Sequence, residues 1–218
     1  MQQTRRAYLG AVGAAAVGST GLAGCLGGGS GASDTSHSCE LTERESVDEL
    51  SQPRVGPADA AVTVEVFEDF ACPHCATFAT GAFSELKPEF ADDDAVAFVH
   101  YDFPIPVSDW SGRVANAARS VQDAAGDEAF FAFSEAAYAK QDDYSWQVLG
   151  DVADEAGVDP CRVLSDASNG TYGPVIQANR EEADSRGVPG TPAPYVNGTL
   201  AEPTYDSVSS AIAAARDA

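Results

Sequence analysis

Basic residues are scarce in this sequence, and lysine is the scarcer of the two kinds. The 218 residues include 12 lysines and arginines, of which only Lys87 and Lys140 are lysines, against 34 aspartates and glutamates. Proteins that bind nucleic acids need clustered Lys and Arg side chains, so a formal net charge of −22 argues against a nucleic-acid partner. We interpret the acidic excess as adaptation to very high salt, as in halophiles, because salt screens such charges. A surface tuned for solubility alone is the alternative.

The sequence also lacks a long, strongly apolar run. Its most apolar stretch, residues 7–23, consists mainly of small residues, whereas a membrane-spanning helix needs about twenty strongly apolar residues. Arg5 and Arg6 precede this stretch, and residues 1–24 contain no acidic side chain. A charged start, an apolar middle and small residues at the end are typical of an export signal. We therefore predict that residues 1–24 are such a signal.

Two short motifs refine this prediction. Residues 4–9, Thr-Arg-Arg-Ala-Tyr-Leu, resemble the twin-arginine export signal. Residues 22–25, Leu-Ala-Gly-Cys, resemble a lipobox, in which Cys25 becomes the lipid-modified first residue of the mature protein. An uncleaved hydrophobic anchor with an incidental Cys25 is the alternative. Both interpretations put the rest of the chain outside the cytoplasm, attached to the cell membrane or, without an anchor, secreted.

Composition divides the remaining chain into a linker and a domain. Residues 26–38 are almost all small or polar, which does not favour packing, and we predict a flexible tether over residues 25–54. The whole sequence is 44% hydrophobic and 21% charged, which is ordinary for a globular protein. We predict one α/β domain over residues 55–218. Its patterns indicate strands at 62–67 and 95–101, a helix at 73–90 that Pro88 ends or kinks, helices over 108–186, a hairpin at 194–200 and a helix at 205–215.

The chemistry of the sequence is concentrated in Cys72-Pro73-His74-Cys75, which follows the first predicted strand and begins a helix. A Cys-x-x-Cys pair can also be half of a zinc site. A structural zinc site would need a second pair of ligands at a suitable spacing, but the other candidates occur singly. We therefore favour redox chemistry and predict no metal; the single candidates are His37, Cys39, His100 and Cys161.

The start of a helix gives a physical reason for redox activity. There the first cysteine faces unpaired backbone N–H groups and the positive end of the helix dipole, which favour thiolate over thiol. We therefore predict Cys72 as the nucleophile and Cys75, inside the helix, as the resolving thiol. Pro73 loses no hydrogen bond at the first helical position, and His74 can add a donor or a positive charge. A stabilised thiolate makes the disulfide a stronger oxidant.

Two segments resemble the DsbA-like branch of the thioredoxin superfamily. They are residues 67–75, Phe-Glu-Asp-Phe-Ala-Cys-Pro-His-Cys, and residues 187–198, Gly-Val-Pro-Gly-Thr-Pro-Ala-Pro-Tyr-Val-Asn-Gly. The resemblance extends from Val55 to the C-terminus and implies a thioredoxin-like fold with a helical insertion between the second strand and a cis-proline strand. It also implies a cis bond between Thr191 and Pro192 that faces the cysteine pair and leaves the Thr191 backbone free for an extended substrate.

The resemblance implies an extracytoplasmic thiol:disulfide oxidoreductase that forms disulfide bonds in exported proteins with free thiols. Such an enzyme requires no bound cofactor, and an integral membrane partner would re-oxidise it. The alternatives are a disulfide reductase or isomerase, and a lipoprotein that binds client proteins or a metal without turnover.

The sequence departs from the family pattern at two positions. Val66 lies six residues before Cys72, where many relatives have an acidic residue thought to serve in proton transfer. Glu65 and Glu68 lie on either side of this position. We expect strand alternation to place both on the face opposite Val66, so neither is assigned the role. Pro194 removes a hydrogen-bond donor from a strand that should be internal.

The roles of four further residues stay open at this point. Cys39 and Cys161 remain among the five cysteines, and we hypothesise that they form a structural disulfide outside the cytoplasm. Asn169 and Asn197 each begin an Asn-Gly-Thr sequon for glycosylation. Because Asn-Gly also forms turns, we favour a turn at both positions.

Overall fold

The structure is a computed structural model that describes residues 37–90, 94–105 and 107–217. The predicted export signal, the lipid site Cys25 and the first part of the tether, up to residue 36, lie outside the described residues. Among the helices of the described ranges, none has both the length and the apolar character that crossing a membrane requires.

Apart from a short first strand at residues 54–55, which the sequence did not indicate, the strands and helices follow the order predicted from the sequence. The strands of the described residues are β1 (Arg54–Val55), β2 (Val62–Glu68), β3 (Val96–Asp102), β4 (Ala193–Val196) and β5 (Thr199–Leu200). The helices are α1 (Pro73–Thr80), α2 (Ala82–Phe90), α3 (Trp110–Ala125), α4 (Asp127–Ala139), α5 (Trp146–Glu155), α6 (Pro160–Asn169), α7 (Gly173–Ser185) and α8 (Tyr205–Arg216). Helices α3 to α7 are inserted between β3 and β4. The predicted thioredoxin-like fold class is therefore confirmed.

The described strands form one five-stranded sheet in the order β1-β3-β2-β4-β5. Strand β2 runs parallel to β3, with Val66 opposite His100 and Glu68 opposite Asp102. On its other side β2 runs antiparallel to β4, with Val66 opposite Pro194. Pro194 thus lies in an internal strand, and the motif that follows β2 begins at the carboxyl edge of the two parallel strands, where α/β folds commonly form their sites.

Two large apolar clusters hold the helices against the sheet. One lies between the sheet and helices α1, α2 and α8, and its buried members include Val62, Val64, Val66, Phe78, Leu86, Phe98, Val208 and Ile212. The other lies between α1 and the inserted helices, and its buried members include Phe70, Cys72, Cys75, Phe130, Phe133, Tyr138, Leu149 and Tyr172. The redox pair therefore belongs to the seam between the thioredoxin-like part and the insertion.

The single helix predicted for residues 73–90 is two helices in the structure. The chain turns between α1 and α2 at Gly81, where a Cβ atom would lie 2.8 Å from the Thr77 carbonyl oxygen. Pro88, which we expected to end or kink the last turn, lies inside α2 just before its end at Phe90. The break at Gly81 orients α2 separately from the helix that carries the cysteines.

The described part of the predicted tether, residues 37–54, is attached to the domain. Cys39 and Cys161 form a disulfide with their Cα atoms 5.2 Å apart, and β1 pairs with β3. The tether prediction does not hold for this part, because the apolar Val47 and Leu50 pack against the core of the insertion. The disulfide closes a loop with a sequence separation of 122, which restricts the unfolded chain and so stabilises the folded one.

The two asparagines of the sequons both make structural hydrogen bonds. Asn197 begins the turn between β4 and β5 with a φ of 45°. Its side chain accepts a hydrogen bond from the Thr63 N–H at 2.8 Å and donates one to the Ala61 carbonyl at 3.1 Å. Asn169 is exposed at the end of α6 and donates to the Thr42 carbonyl at 3.3 Å.

Candidate active site

Cys72 and Cys75 lie where β2 leads into α1. Cys72 is the N-cap residue of this helix, with an extended backbone (φ −81°, ψ 121°), and Pro73 follows at the first helical position. The Cys75 N–H donates to the Cys72 carbonyl at 3.0 Å, which places Cys75 in the first turn. Both residues carry free thiols. Cys72 is 4% exposed to solvent and Cys75 is 0% exposed. An incoming thiol can therefore reach the sulfur of Cys72 but not that of Cys75.

The surroundings of Cys72 favour its thiolate form. The pKa of Cys72 is lowered from 9.0 to about 5, first of all because the Cys75 thiol donates a hydrogen bond to it. The Thr191 hydroxyl and the backbone N–H groups of Cys75 and His74 lower the pKa further, against the opposing effect of burial. His74 thus contributes its backbone, whereas its side chain is exposed beside a neighbouring cleft.

Cys75 is the thiol of the pair that keeps its proton. Burial raises the pKa of Cys75, and the hydrogen bond with Cys72 and the negative charge of Glu68 raise it further. The Asp69 N–H, 3.5 Å from Cys75 Sγ, has a smaller opposing effect. An accessible thiolate beside a buried thiol is the arrangement that thiol–disulfide exchange requires of a nucleophile and a resolving cysteine.

The second segment singled out in the sequence reaches the same place. The peptide bond between Thr191 and Pro192 is cis, and the Thr191 carbonyl oxygen lies 3.5 Å from Cys72 Sγ across a sequence separation of 119. The buried Thr191 Oγ1 finds no hydrogen-bond partner within the described ranges, which leaves it available to a thiolate. A surface cleft of about 650 Å³ runs beside the pair and is lined in part by His74, Thr191 and Pro192.

Comparison with known proteins decides the family. A family model described as "Thioredoxin" matches residues 48–214. The chain belongs to the thioredoxin family. It is 30% identical over 170 residues to the "Probable disulfide bond formation protein D" of Bacillus anthracis, across 74% of this chain and 77% of that protein.

Solved structures of this thioredoxin-family protein's relatives have the same fold. The crystal structure of oxidised BdbD from Bacillus subtilis matches with a TM-score of 0.70 and 24% identity, over 80% of this chain and 100% of the other. The reduced DsbA of Mycobacterium tuberculosis matches with a TM-score of 0.56 and 27% identity, over 75% of this chain and 98% of the other. With the 30% identical relative, these findings identify this thioredoxin-family protein as a DsbA-like thiol:disulfide oxidoreductase.

Two polar side chains that sequence reasoning missed hold the loop before the redox pair of this thioredoxin-family protein. Asp69 accepts a hydrogen bond from the Ile105 N–H at 2.8 Å. Gln141 Nε2 donates to the carbonyl oxygens of Phe70 and Cys72 at 2.8 and 2.9 Å. The partners in these hydrogen bonds are separated in sequence by 36 residues for Asp69 and by 69 to 71 for Gln141. No local sequence pattern could have indicated such contacts.

Sequence reasoning also missed a row of four buried polar side chains near the pair. Glu68 Oε2 lies 3.3 Å from His100 Nδ1, and His100 Nε2 lies 3.2 Å from Asp102 Oδ1. Arg119 Nε donates to Asp102 Oδ2 at 2.6 Å. Glu68 lies two residues after Val66 and therefore on the same face of β2, since side chains alternate along a strand. The expectation that Glu68 lies on the face opposite Val66 is therefore wrong, and a correct count of the spacing along the strand could have found Glu68.

The residues considered as zinc ligands have other contacts. Cys39 and Cys161 bond to each other, His37 Nε2 lies 2.9 Å from Asp151 Oδ1, and His100 belongs to the buried row. Within residues 37–90, 94–105 and 107–217, no group of three or more His, Cys, Asp or Glu side chains is arranged to hold a metal ion.

Proposed function

We propose that this protein forms disulfide bonds in exported proteins and uses Cys72 and Cys75 as its redox pair. The observation that carries the proposal is the position of Cys72 at the N-terminus of α1, with Cys75 in the first turn and the cis Thr191–Pro192 bond beside it. In this position the pKa of Cys72 is lowered to about 5, first of all by the hydrogen bond from the Cys75 thiol. A stabilised thiolate stabilises the reduced pair, so the disulfide form becomes a strong oxidant. The name of the Bacillus anthracis relative, a probable disulfide bond formation protein, supports the same direction.

In the proposed reaction a substrate thiolate attacks Cys72 Sγ of the oxidised pair. The bond between Cys72 and Cys75 breaks, and Cys75 leaves with the electron pair and takes up a proton. A second substrate thiolate then attacks the substrate sulfur of the mixed disulfide and releases Cys72 as a thiolate. The substrate loses two electrons and the cysteine pair gains them.

The cleft beside the pair suits an extended polypeptide. Its walls include the apolar Phe78, Ala82 and Pro192 as well as the polar Thr77 and Thr204. The backbone at Thr191, next to Cys72 Sγ, can pair with an extended substrate as an added strand does. This arrangement supports substrates that are unfolded or locally extended around a cysteine.

We further propose that the protein acts at the outer face of the cell membrane, attached through a lipid at Cys25. The pattern of residues 1–25 supports export, and the Cys39–Cys161 disulfide supports an oxidising compartment. The formal charge of −22 supports a salt-rich medium. Because each cycle leaves two electrons on the enzyme, the proposal includes an integral membrane partner that accepts them.

The reduction potential of the pair tests the direction of the reaction. We expect equilibrium with glutathione to give a value more positive than about −180 mV, in the range of protein oxidants. A value near about −270 mV, that of thioredoxin, would instead favour a disulfide reductase. The double variant Cys39→Ser/Cys161→Ser is the control. It lacks the second disulfide, so its equilibrium with glutathione reports only on the pair Cys72 and Cys75.

A further inference from the structure

The loop that ends at Cys72 is held by two side chains of the helical insertion. Gln141 Nε2 donates hydrogen bonds to the carbonyl oxygens of Phe70 and Cys72 at 2.8 and 2.9 Å. The Tyr144 hydroxyl donates to the same Phe70 carbonyl at 3.1 Å. We call these three hydrogen bonds the insertion clamp. Their donors lie in the segment between α4 and α5, so this segment reaches the backbone of the nucleophile itself.

Phe70 is also held through its ring. The residue is 1% exposed, and its ring centroid lies 4.8 Å from that of Tyr138 on α4 and 5.7 Å from that of His100 on β3. The ring is therefore packed between the insertion and the sheet. With the ring fixed, the insertion clamp restricts the freedom that the loop retains, which is rotation of the peptide groups that lead to Cys72.

One of the clamped carbonyl oxygens belongs to the residue that carries the negative charge. The Cys72 carbonyl accepts hydrogen bonds from the N–H groups of Cys75 and Ala76 at 3.0 and 3.1 Å, and Gln141 adds a third donor. A carbonyl oxygen carries a partial negative charge, and negative charge near a thiolate disfavours the thiolate. A donor on that oxygen offsets this effect. The insertion clamp therefore favours the charged form of Cys72.

The insertion clamp also fixes the position of the Cys72 sulfur relative to α1. Cys72 Sγ lies 3.5 Å from the Thr191 carbonyl oxygen, and the backbone N–H groups of His74 and Cys75 stabilise its thiolate. This stabilisation depends on the direction of each N–H group, because hydrogen bonds weaken steeply when they bend. A loop that was free to rotate would lose part of it.

Both donors of the insertion clamp keep their hydrogens at neutral pH. Burial, and then the negative charge of Asp69, raise the pKa of Tyr144, so its hydroxyl stays protonated and donates. The side-chain amide of Gln141 does not titrate. The insertion clamp therefore persists over the pH range in which Cys72 changes its charge.

We propose that Gln141 and Tyr144 are positioning residues for Cys72, and that through them the helical insertion sets the oxidising strength of the cysteine pair. The insertion clamp holds the sulfur at the N-terminus of α1 and offsets the partial charge of the Cys72 carbonyl. Both effects stabilise the thiolate that is present when the disulfide has been reduced. Because a more stable thiolate makes the disulfide a stronger oxidant, loss of the insertion clamp makes the pair a weaker one.

The inference rests on the proposed role of Cys72 as the nucleophile, and one titration separates the two. The ultraviolet absorbance of the thiolate gives the pKa of Cys72 in the reduced protein. A wild-type pKa near about 8.5, the value of free cysteine, would contradict the proposed function itself. A wild-type pKa of about 5 that the clamp variants share would overturn only the inference.

The variant Gln141→Leu keeps most of the bulk of the side chain and removes both of its hydrogen bonds. We expect the pKa of Cys72 to rise by about one unit, the equivalent of one or two net hydrogen bonds. At neutral pH the equilibrium with glutathione is expected to become about tenfold less oxidising, a change of about 30 mV for this two-electron pair. An unchanged pKa and an unchanged equilibrium would overturn the inference.

The substitutions leave the other titratable groups around Cys72 in place. These are thiol and carboxyl groups on three parts of the chain: Cys75 on α1, Glu68 and Asp69 at the end of β2, and Asp142 and Asp143 beside Gln141 at the wall of a neighbouring cleft. Since no charge is added or removed at position 141 or 144, a changed pKa of Cys72 reports on the lost hydrogen bonds.

A second variant and a control complete the test. Tyr144→Phe removes one hydrogen bond and is expected to raise the pKa of Cys72 by about half a unit. Gln177→Leu is the matched control, because Gln177 is an exposed residue of α7 that donates to Glu181 Oε1 at 3.0 Å, and it is expected to leave Cys72 unchanged. Denaturant unfolding measures the stability of each variant. A less stable Gln141→Leu protein with the wild-type pKa of Cys72 would show a merely structural contact and overturn the inference.

Discussion

Replacing Cys75 with serine is expected to hold client proteins covalently on Cys72. This variant has no internal disulfide, so its Cys72 thiolate attacks a disulfide of an oxidised client, one client sulfur leaves as a thiolate, and no resolving thiol releases the mixed disulfide. The Cys72 thiolate loses its hydrogen bond from the Cys75 thiol in this variant, but the backbone N–H groups of residues 74 and 75 and the Thr191 hydroxyl still stabilise it. A serine hydroxyl at position 75 cannot attack the mixed disulfide. Replacing Cys72 with serine is expected to remove the adducts altogether and to reduce thiol oxidation by at least about 10³-fold, since the nucleophile is lost.

Non-reducing gels and mass spectrometry of client mixtures measure both effects. Reductant-sensitive adducts are expected with Cys75→Ser and not with Cys72→Ser. The double variant Cys39→Ser/Cys161→Ser is the matched control, since it removes two other sulfurs and is expected to leave turnover intact. Full turnover by Cys75→Ser, or adducts that persist in Cys72→Ser, would contradict the assigned roles of the two cysteines.

Replacing Arg119 with methionine is expected to lower the free energy of unfolding by about 3–5 kcal/mol, the usual cost of breaking a buried ion pair. Arg119 is 0% exposed and bonds to Asp102 at 2.6 Å and to the Ser51 carbonyl at 3.1 Å. Its Nη2 atom also donates to Asn179 Oδ1 at 3.1 Å. The substitution leaves the Asp102 carboxylate buried beside the His100 ring and removes the hydrogen bond to the segment before β1.

Denaturant unfolding of the full chain measures this loss. Arg180→Met is a suitable control, because Arg180 is only half-buried and donates a hydrogen bond to the Pro104 carbonyl at 3.1 Å. We expect the control to cost about 1 kcal/mol, the net contribution of one hydrogen bond. Equal losses for the two variants would show that the buried row does not depend on Arg119.

The parts of the fold that the sequence predicted are those with a local signal. The apolar residues alternate along β2 and recur every three or four residues in α1 and α2. These patterns, like the Asn197-Gly198 turn, involve residues that are close together in the sequence. The pair at Cys72 and Cys75 was located in the same way, by its position between a strand and a helix. The cis bond before Pro192 came from resemblance, since its role depends on a contact with residues far away in the chain.

The parts that the sequence did not predict depend on contacts between distant residues. The attached segment that begins at Cys39 looked like a free linker because its partners belong to the insertion. Glu68 was assigned no role from the sequence, and its contact with His100 on β3 exists only in the folded chain. Gln141 begins a short 3₁₀ helix between α4 and α5, and only the folded chain brings it to the carbonyl of Cys72.

The most direct test is a titration of Cys72 in the reduced protein. Its readout is the rate at which iodoacetamide alkylates Cys72 at each pH. Only the thiolate reacts, so the rate falls as pH falls through the pKa of the sulfur. We expect the half-maximal rate at a pH of about 5, with a plateau at neutral pH. A midpoint near pH ~8.5, the value of free cysteine, would contradict the stabilised thiolate from which the proposed oxidase follows.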